Sequence, residues 1–150
     1  MPHAETPFEY RKLPQYPHMK PADTEIWNEF IENNPGRFGV VYYDYHLGRG
    51  AEMPPDCPGC VRHAWHDLTR GKCDVVAEDE RTIYTIEIKP HANAKALGQA
   101  LGYMCLYRSQ HRPEKPVLPV VLTNVIFPDT QEIANFMGVK LWLSGTKRNV

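Results

Sequence analysis

The chain has 150 residues, 42% apolar and 23% charged, with a net charge of −1, the profile of one globular domain. That balance excludes a surface that grips phosphates along its whole length, so any nucleic-acid contact has to come from local patches. No apolar run approaches a membrane span, no basic-then-apolar leader opens the chain, and its 4 cysteines read as reduced thiols, so the expected location is cytoplasmic (host-cell cytoplasm if the chain is viral).

Prolines at 2, 7, 14, 17 and 21 predict an extended N-terminal arm over residues 1–22. A helix follows. Asp23 can cap it, Glu25 sits in its first turn, and Pro35-Gly36 ends it. Its Ile26, Trp27, Phe30 and Ile31 form one apolar stripe. Residues 38–45 read as a strand that Gly48 and Gly50 terminate, and 47–70 read as loop. Strands over 73–77 and 82–89 flank the polar turn EDER. Asn93 can cap a helix over 94–110 that Pro113 and Pro116 stop. A strand over 117–123, a short helix from Pro128-Asp129 to Gly138 and a strand over 139–143 complete the order α-β-β-β-α-β-α-β. Such an order predicts a single α/β domain over 23–150, with a mixed central sheet flanked by helices.

Charged residues interrupt the central hairpin. With Glu80-Arg81 as the turn, opposed residues have numbers that sum to 161, which puts Asp74 across from Glu87. Opposed side chains share a face, about 4.5–5.5 Å apart at Cβ, and Lys89 joins them two residues on. Val75, Ala77, Ile86 and Ile88 occupy the other face and suit a core. Two carboxylates so placed repel unless a cation lies between them, and hard oxygen ligands suit Mg²⁺ or Mn²⁺. A lysine beside such a cation can position a water. The competing explanation is a solvated ion-pair cluster, and a one-residue slip of register would remove the pair altogether.

In the next helix Lys95, Gln99 and Tyr103 form one polar line at spacing four. Gly98 and Gly102 are poor helix formers, and are expected to let the helix backbone approach the sheet closely.

Asp74, the Glu87-Ile88-Lys89 triplet and the segment GQALGY at 98–103 resemble the PD-(D/E)xK nuclease superfamily, which has a restriction-endonuclease-like core. The resemblance covers roughly residues 23–124. It implies that Asp74, Glu87 and the backbone carbonyl of Ile88 hold Mg²⁺ or Mn²⁺, that Lys89 orients or deprotonates the attacking water, and that Gln99 and Tyr103 support the site or contact the nucleic-acid backbone. It further implies a helix acid, for which Glu29 and Glu25 are candidates and Asp44 on the first strand a third. Cys73 stands where the motif has proline. The implied activity is a DNA endonuclease, of a phage or mobile element, that leaves 5′-phosphate and 3′-hydroxyl ends, and a homodimer where both strands are cut. An RNA endonuclease with the same site, and a non-catalytic nucleic-acid-binding or virion-type protein that keeps the fold, are the alternatives.

Cys57, Cys60, His63 and His66 lie within ten residues and offer a structural Zn²⁺ set, although Pro58-Gly59 between the cysteines is a turn signal by itself. Arg62, His63 and Arg70 could equally meet substrate. The basic stretches RSQHRPEK (108–115) and KR (147–148) can meet phosphates or solvate a helix end. Trp27, Trp65 and Trp142 read as core.

Overall fold

The computed structural model describes residues 6–50 and 71–147. All of the predicted elements are present in the predicted order: α1 (Pro21–Asn33), β1 (Val40–Leu47), β2 (Gly71–Glu78), β3 (Ile83–Ile88), α2 (Ala94–His111), β4 (Val117–Thr123), α3 (Pro128–Met137) and β5 (Lys140–Leu143). The N-cap of α1 is Lys20 rather than Asp23. Proline lacks the amide that a first helical residue cannot use and is pre-set in φ, so Pro21 starts the helix and Asp23 falls inside its first turn. Asn93 caps α2 as expected, its side chain accepting from the amide of Ala96.

The five strands lie in the order β1-β2-β3-β4-β5. The first three are antiparallel, whereas β4 runs parallel to both β3 and β5. The fold is therefore α/β, a mixed sheet flanked by helices. On one face Ile26, Trp27, Phe30 and Ile31 of α1 pack on Val41, Val75, Ala77, Ile86, Ile88 and Leu122. The Phe30 ring stacks between Trp27 and Trp142, with centroids 5.6 and 5.5 Å away. On the other face Ala96, Leu97 and Ala100 of α2 pack with Val121, Leu141 and Ala134 of α3.

The turn between β2 and β3 has unusually many bonds. Asp79 Oδ1 accepts from the amides of Arg81 (2.9 Å) and Thr82 (2.8 Å), and the Asp79 amide donates to the Thr82 carbonyl at 3.0 Å. Asp79 Oδ2 accepts from Arg37 Nη1 at 2.7 Å, and Arg37 Nη2 donates to the Tyr84 hydroxyl at 2.9 Å. The guanidinium also faces the rings of Phe38, Tyr84 and Trp142 at 4.9–5.6 Å. With the turn held so, Val75 pairs with Ile86 and Ala77 with Tyr84, the expected register.

Between β1 and β2 the ladder skips one position. Tyr43 pairs with Val75 and Tyr45 with Cys73, but Asp44 and Asp74 between them do not pair. Asp44 has a left-handed φ of 51°, rare for a residue with a side chain though tolerated by Asp. Both strands turn over here. Val41, Tyr43, Val75 and Ala77 belong to the α1-side core, whereas Tyr45, Leu47 and Cys73 belong to the core on the opposite face.

The expected close approach at Gly98 and Gly102 is absent, for a methyl group at either would meet no atom within 4 Å. Both glycines are exposed, and the contact with the sheet is made by Ala96 and Ala100, both fully buried. The arm is tied to the domain: Phe8 exchanges backbone hydrogen bonds with Val41 (2.8 and 3.1 Å), the Tyr10 hydroxyl donates to the Asn34 carbonyl at 2.7 Å, and Tyr16 is buried. Among the described residues no helix is long and apolar enough to cross a membrane.

Gly102→Ala, and Gly98→Ala likewise, should each stabilise the fold by about 0.5–1 kcal/mol, because alanine fits a helix and loses less backbone freedom on folding. Thermal melts of the single variants test this; a drop in midpoint would mean the glycines are needed for packing. Asp79→Ala should cost about 2–3 kcal/mol, since it leaves the Arg37 charge unpaired and frees two turn amides; urea denaturation reads the loss.

Candidate active site

The carboxylate pair forms where β2 and β3 part. Their ladder ends at Val75 and Ile86, so Asp74 and Glu87 are the next opposed residues. The amide of Ile88 donates to Asp74 Oδ2 at 2.8 Å, which fixes that carboxylate toward β3. Asp74 and Glu87 are within hydrogen-bonding reach of each other. Glu87 is 9% exposed, and its Oε2 is buried with no hydrogen-bond partner.

Burial pushes the Glu87 carboxyl up to about 9, and the Asp74 charge and hydrogen bond, then the Asp23 charge, add to it. Burial also raises Asp74, to about 6; the Ile88 amide opposes this, and the charges of Asp23 and Asp44 reinforce it. The two carboxyls therefore share a proton near neutral pH. Lys89 is exposed, and its charge favours the ionised forms of both Glu87 and Asp23.

Asp23 is the site acid that sequence reasoning missed. It stands in the first turn of α1 and acts on both Asp74 and Glu87. Glu25 and Glu29 are both exposed. Glu29 is engaged elsewhere, accepting from the Ser144 hydroxyl at 3.3 Å beyond β5. The usable signal was Pro21: with proline at the first helical position, Asp23 cannot be a cap and must project from the first turn. Asp44 sits beside the pair, and its Oδ2 lies 3.6 Å from His46 Nε2 and 3.8 Å from His18 Nε2.

Tyr103 reaches the site from α2. Burial raises its hydroxyl to about 12, as do the charges of Glu87, Cys73 and Asp74, while a hydrogen bond from the Lys72 amide opposes them. Its ring passes over Gly71, where an added methyl group would lie 3.0 Å from Tyr103 Cε1, a tight contact that the ring would have to yield to. Gln99 is half-buried one turn earlier, and Lys95 is exposed. Cys73 is fully buried, with its thiol toward the Val75 carbonyl at 3.3 Å.

Among the described residues no three His, Cys, Asp or Glu side chains gather closely enough to enclose a metal ion. Two carboxylates with one orphaned buried oxygen nevertheless fit Mg²⁺, which binds through one or two carboxylates and fills its remaining positions with water and substrate phosphate. Cys57, Cys60, His63 and His66, the expected zinc set, lie outside the described residues, as do Arg62, Trp65, Arg70 and Arg148.

No family model matches the chain, and no curated protein matches it. Among solved structures, the crystal structure of AF1548, a protein of unknown function, is similar with a TM-score of 0.44 and 19% identity over 67% of this chain and 47% of that one. This chain thus spans about half the length of that protein.

The raised carboxyl pair sets a pH dependence. The folded protein holds protons that the unfolded chain releases, so the pair's contribution to stability falls as pH rises from the ordinary carboxylate range toward about 9. Glu87→Gln should therefore stabilise the metal-free protein by ~2 kcal/mol near pH 8 and by much less near pH 5. Mg²⁺, which competes with the proton, should raise the wild-type melting temperature more at the higher pH. Melting curves in EDTA and in Mg²⁺ check both; a Glu87→Gln effect that does not change with pH would rule out the shared proton.

Proposed function

We propose that the protein is a Mg²⁺- or Mn²⁺-dependent phosphodiesterase acting on nucleic acid, a DNA endonuclease first and an RNA endonuclease second. The observation that carries it is the meeting of half-buried Asp74 with buried Glu87, whose Oε2 has no partner, beside the Lys89 charge. Two carboxyls held together at low exposure, both pushed toward their protonated forms, cost stability without a cation.

Asp74, Glu87 and the Ile88 carbonyl would hold the cation. When bound, it supplies positive charge to the phosphate oxygens and makes water a stronger acid. The chain's own residues do the rest. Asp74 is oriented by the Ile88 amide, so its second oxygen is directed rather than free to rotate. Lys89 would donate a hydrogen bond to the attacking water and align it with phosphorus. The water oxygen forms a bond to phosphorus as the bond to the leaving sugar oxygen breaks; the water gives a proton to solvent, and the leaving oxygen takes one from solvent to become the free hydroxyl. Asp23 adds negative charge that draws Lys89 toward the site. Tyr103 and Gln99 would border the path of the substrate backbone.

The test is incubation of the purified protein with supercoiled, linear, branched and single-stranded DNA and with RNA, in Mg²⁺, Mn²⁺ or EDTA. Cleavage that requires the metal is expected, reduced about 10²-fold by Lys89→Ala, the order of loss when an attacking group is misaligned, and abolished by Asp74→Ala. Cleavage that survives both substitutions, or no cleavage of any substrate, sinks the assignment.

A further inference from the structure

The N-terminal arm and the start of α1 enclose a groove of about 490 Å³, lined by Pro14, Tyr16, His18, Met19, Pro21 and Thr24 among others. Its volume lies in the range of ligand sites, roughly 300–1,000 Å³. Nothing in the fold requires a groove here, because Tyr16 already closes the core beneath it. What gives it meaning is its position. His18 forms one wall and also stands 3.8 Å from Asp44 Oδ2, and Asp44 acts on Asp74 of the carboxylate pair. Thr24 forms another wall and is the next residue after Asp23. Lys20, between them in sequence, joins Lys89 in offsetting the Asp23 charge. The groove is therefore joined to the carboxylates through His18 and Asp44, which lies opposite Asp74 where the β1–β2 ladder skips.

We infer that this groove is a subsite for the nucleotide flanking the cleaved phosphodiester, an inference that rests on the phosphodiesterase reading. The chemistry fits on both sides. Pro14, Met19 and Pro21 line the groove and offer apolar surface on which a base or sugar can lie. His18 is exposed, with 79% of its side chain open to solvent, and Lys20 is exposed too; both can donate to a phosphate. The site thus takes its substrate contacts from a local set on an otherwise near-neutral chain, as the net charge of −1 demands. The arm is then part of the binding surface, and its anchors at Phe8, Tyr10 and Tyr16 serve to hold His18 and Lys20 in place.

Two variants test this, His18→Ala/Lys20→Ala and Thr24→Asp. A carboxylate in the first turn favours the helix and offsets the lost bond from the Thr24 hydroxyl to the Lys20 carbonyl, while it places a negative charge on the groove wall; a thermal melt of each variant checks that the fold is kept. Cleavage kinetics in Mg²⁺ and anisotropy of a fluorescein-labelled single-stranded DNA in Ca²⁺ are measured for each. The expected result is a KM raised about tenfold with kcat within about threefold, and, for the double variant, a salt slope of binding reduced by about 1–2. Unchanged KM and unchanged binding in both variants, with wild-type cleavage intact, overturn the subsite and leave the phosphodiesterase standing. Wild-type binding without cleavage, weakened by both variants, upholds the groove as a nucleic-acid site and removes the catalytic reading. Wild-type protein that neither binds nor cleaves removes both.

Discussion

The site depends on one turn. Asp79 holds the amides of its own hairpin with one carboxylate oxygen and Arg37 with the other, so lengthening the turn by a residue would break a partly buried charge pair. Side chains alternate along a strand, hence a slip of one residue would oppose Asp74 to Ile86 and move Glu87 to a different neighbour. The interaction that sets the carboxylate pair is therefore at the opposite end of the hairpin from the pair itself. Arg37 adds rigidity by lying among Phe38, Tyr84 and Trp142, which couples the turn to the core on the α1 side.

The second constraint is the skipped pair at Asp44 and Asp74. Where two neighbouring strands turn over together, the backbone groups between them lose their regular partners and the side chains there no longer belong to either face. Asp44 lies across from Asp74 at this break, and its charge acts on Asp74. The left-handed backbone of Asp44 fits the tendency of unfavourable conformations to collect at functional sites. The Ile88 amide, which has no strand partner at that point, is satisfied by Asp74 instead.

How much of this is legible in the sequence varies by residue and for physical reasons. The opposition of Asp74 and Glu87 follows from counting across a two-residue turn, since polar turn residues and alternating strands leave few registers. The fold order follows from proline and glycine punctuation. Asp23 is hidden because an aspartate ahead of an apolar stripe looks like a cap, and only the proline two residues earlier shows that the helix has already begun. Gly98 and Gly102 mislead because glycine can serve either contact or nothing, and Ala96 and Ala100 already supply the small face that the sheet needs. The inversion at Asp44 leaves no periodic trace: tyrosines at 42, 43 and 45 suit either face. The groove at the arm is invisible for a related reason, because prolines announce an extended chain but not what it lies against.

The arm has a further consequence, for the edges of the sheet. Phe8 takes the outward hydrogen bonds of Val41 on β1, and a segment broken by Pro7, Pro14 and Pro17 cannot present a continuous ladder to another strand. The opposite edge, β5, is only four residues long. Among the described residues, growth by sheet extension, the usual route to fibrous aggregates, is therefore interrupted at Val41 on one side and limited to four residues on the other. For a second copy of this chain, Phe136 on α3, 93% exposed with Ile133 one turn before it, is the most apolar surface the described residues leave open.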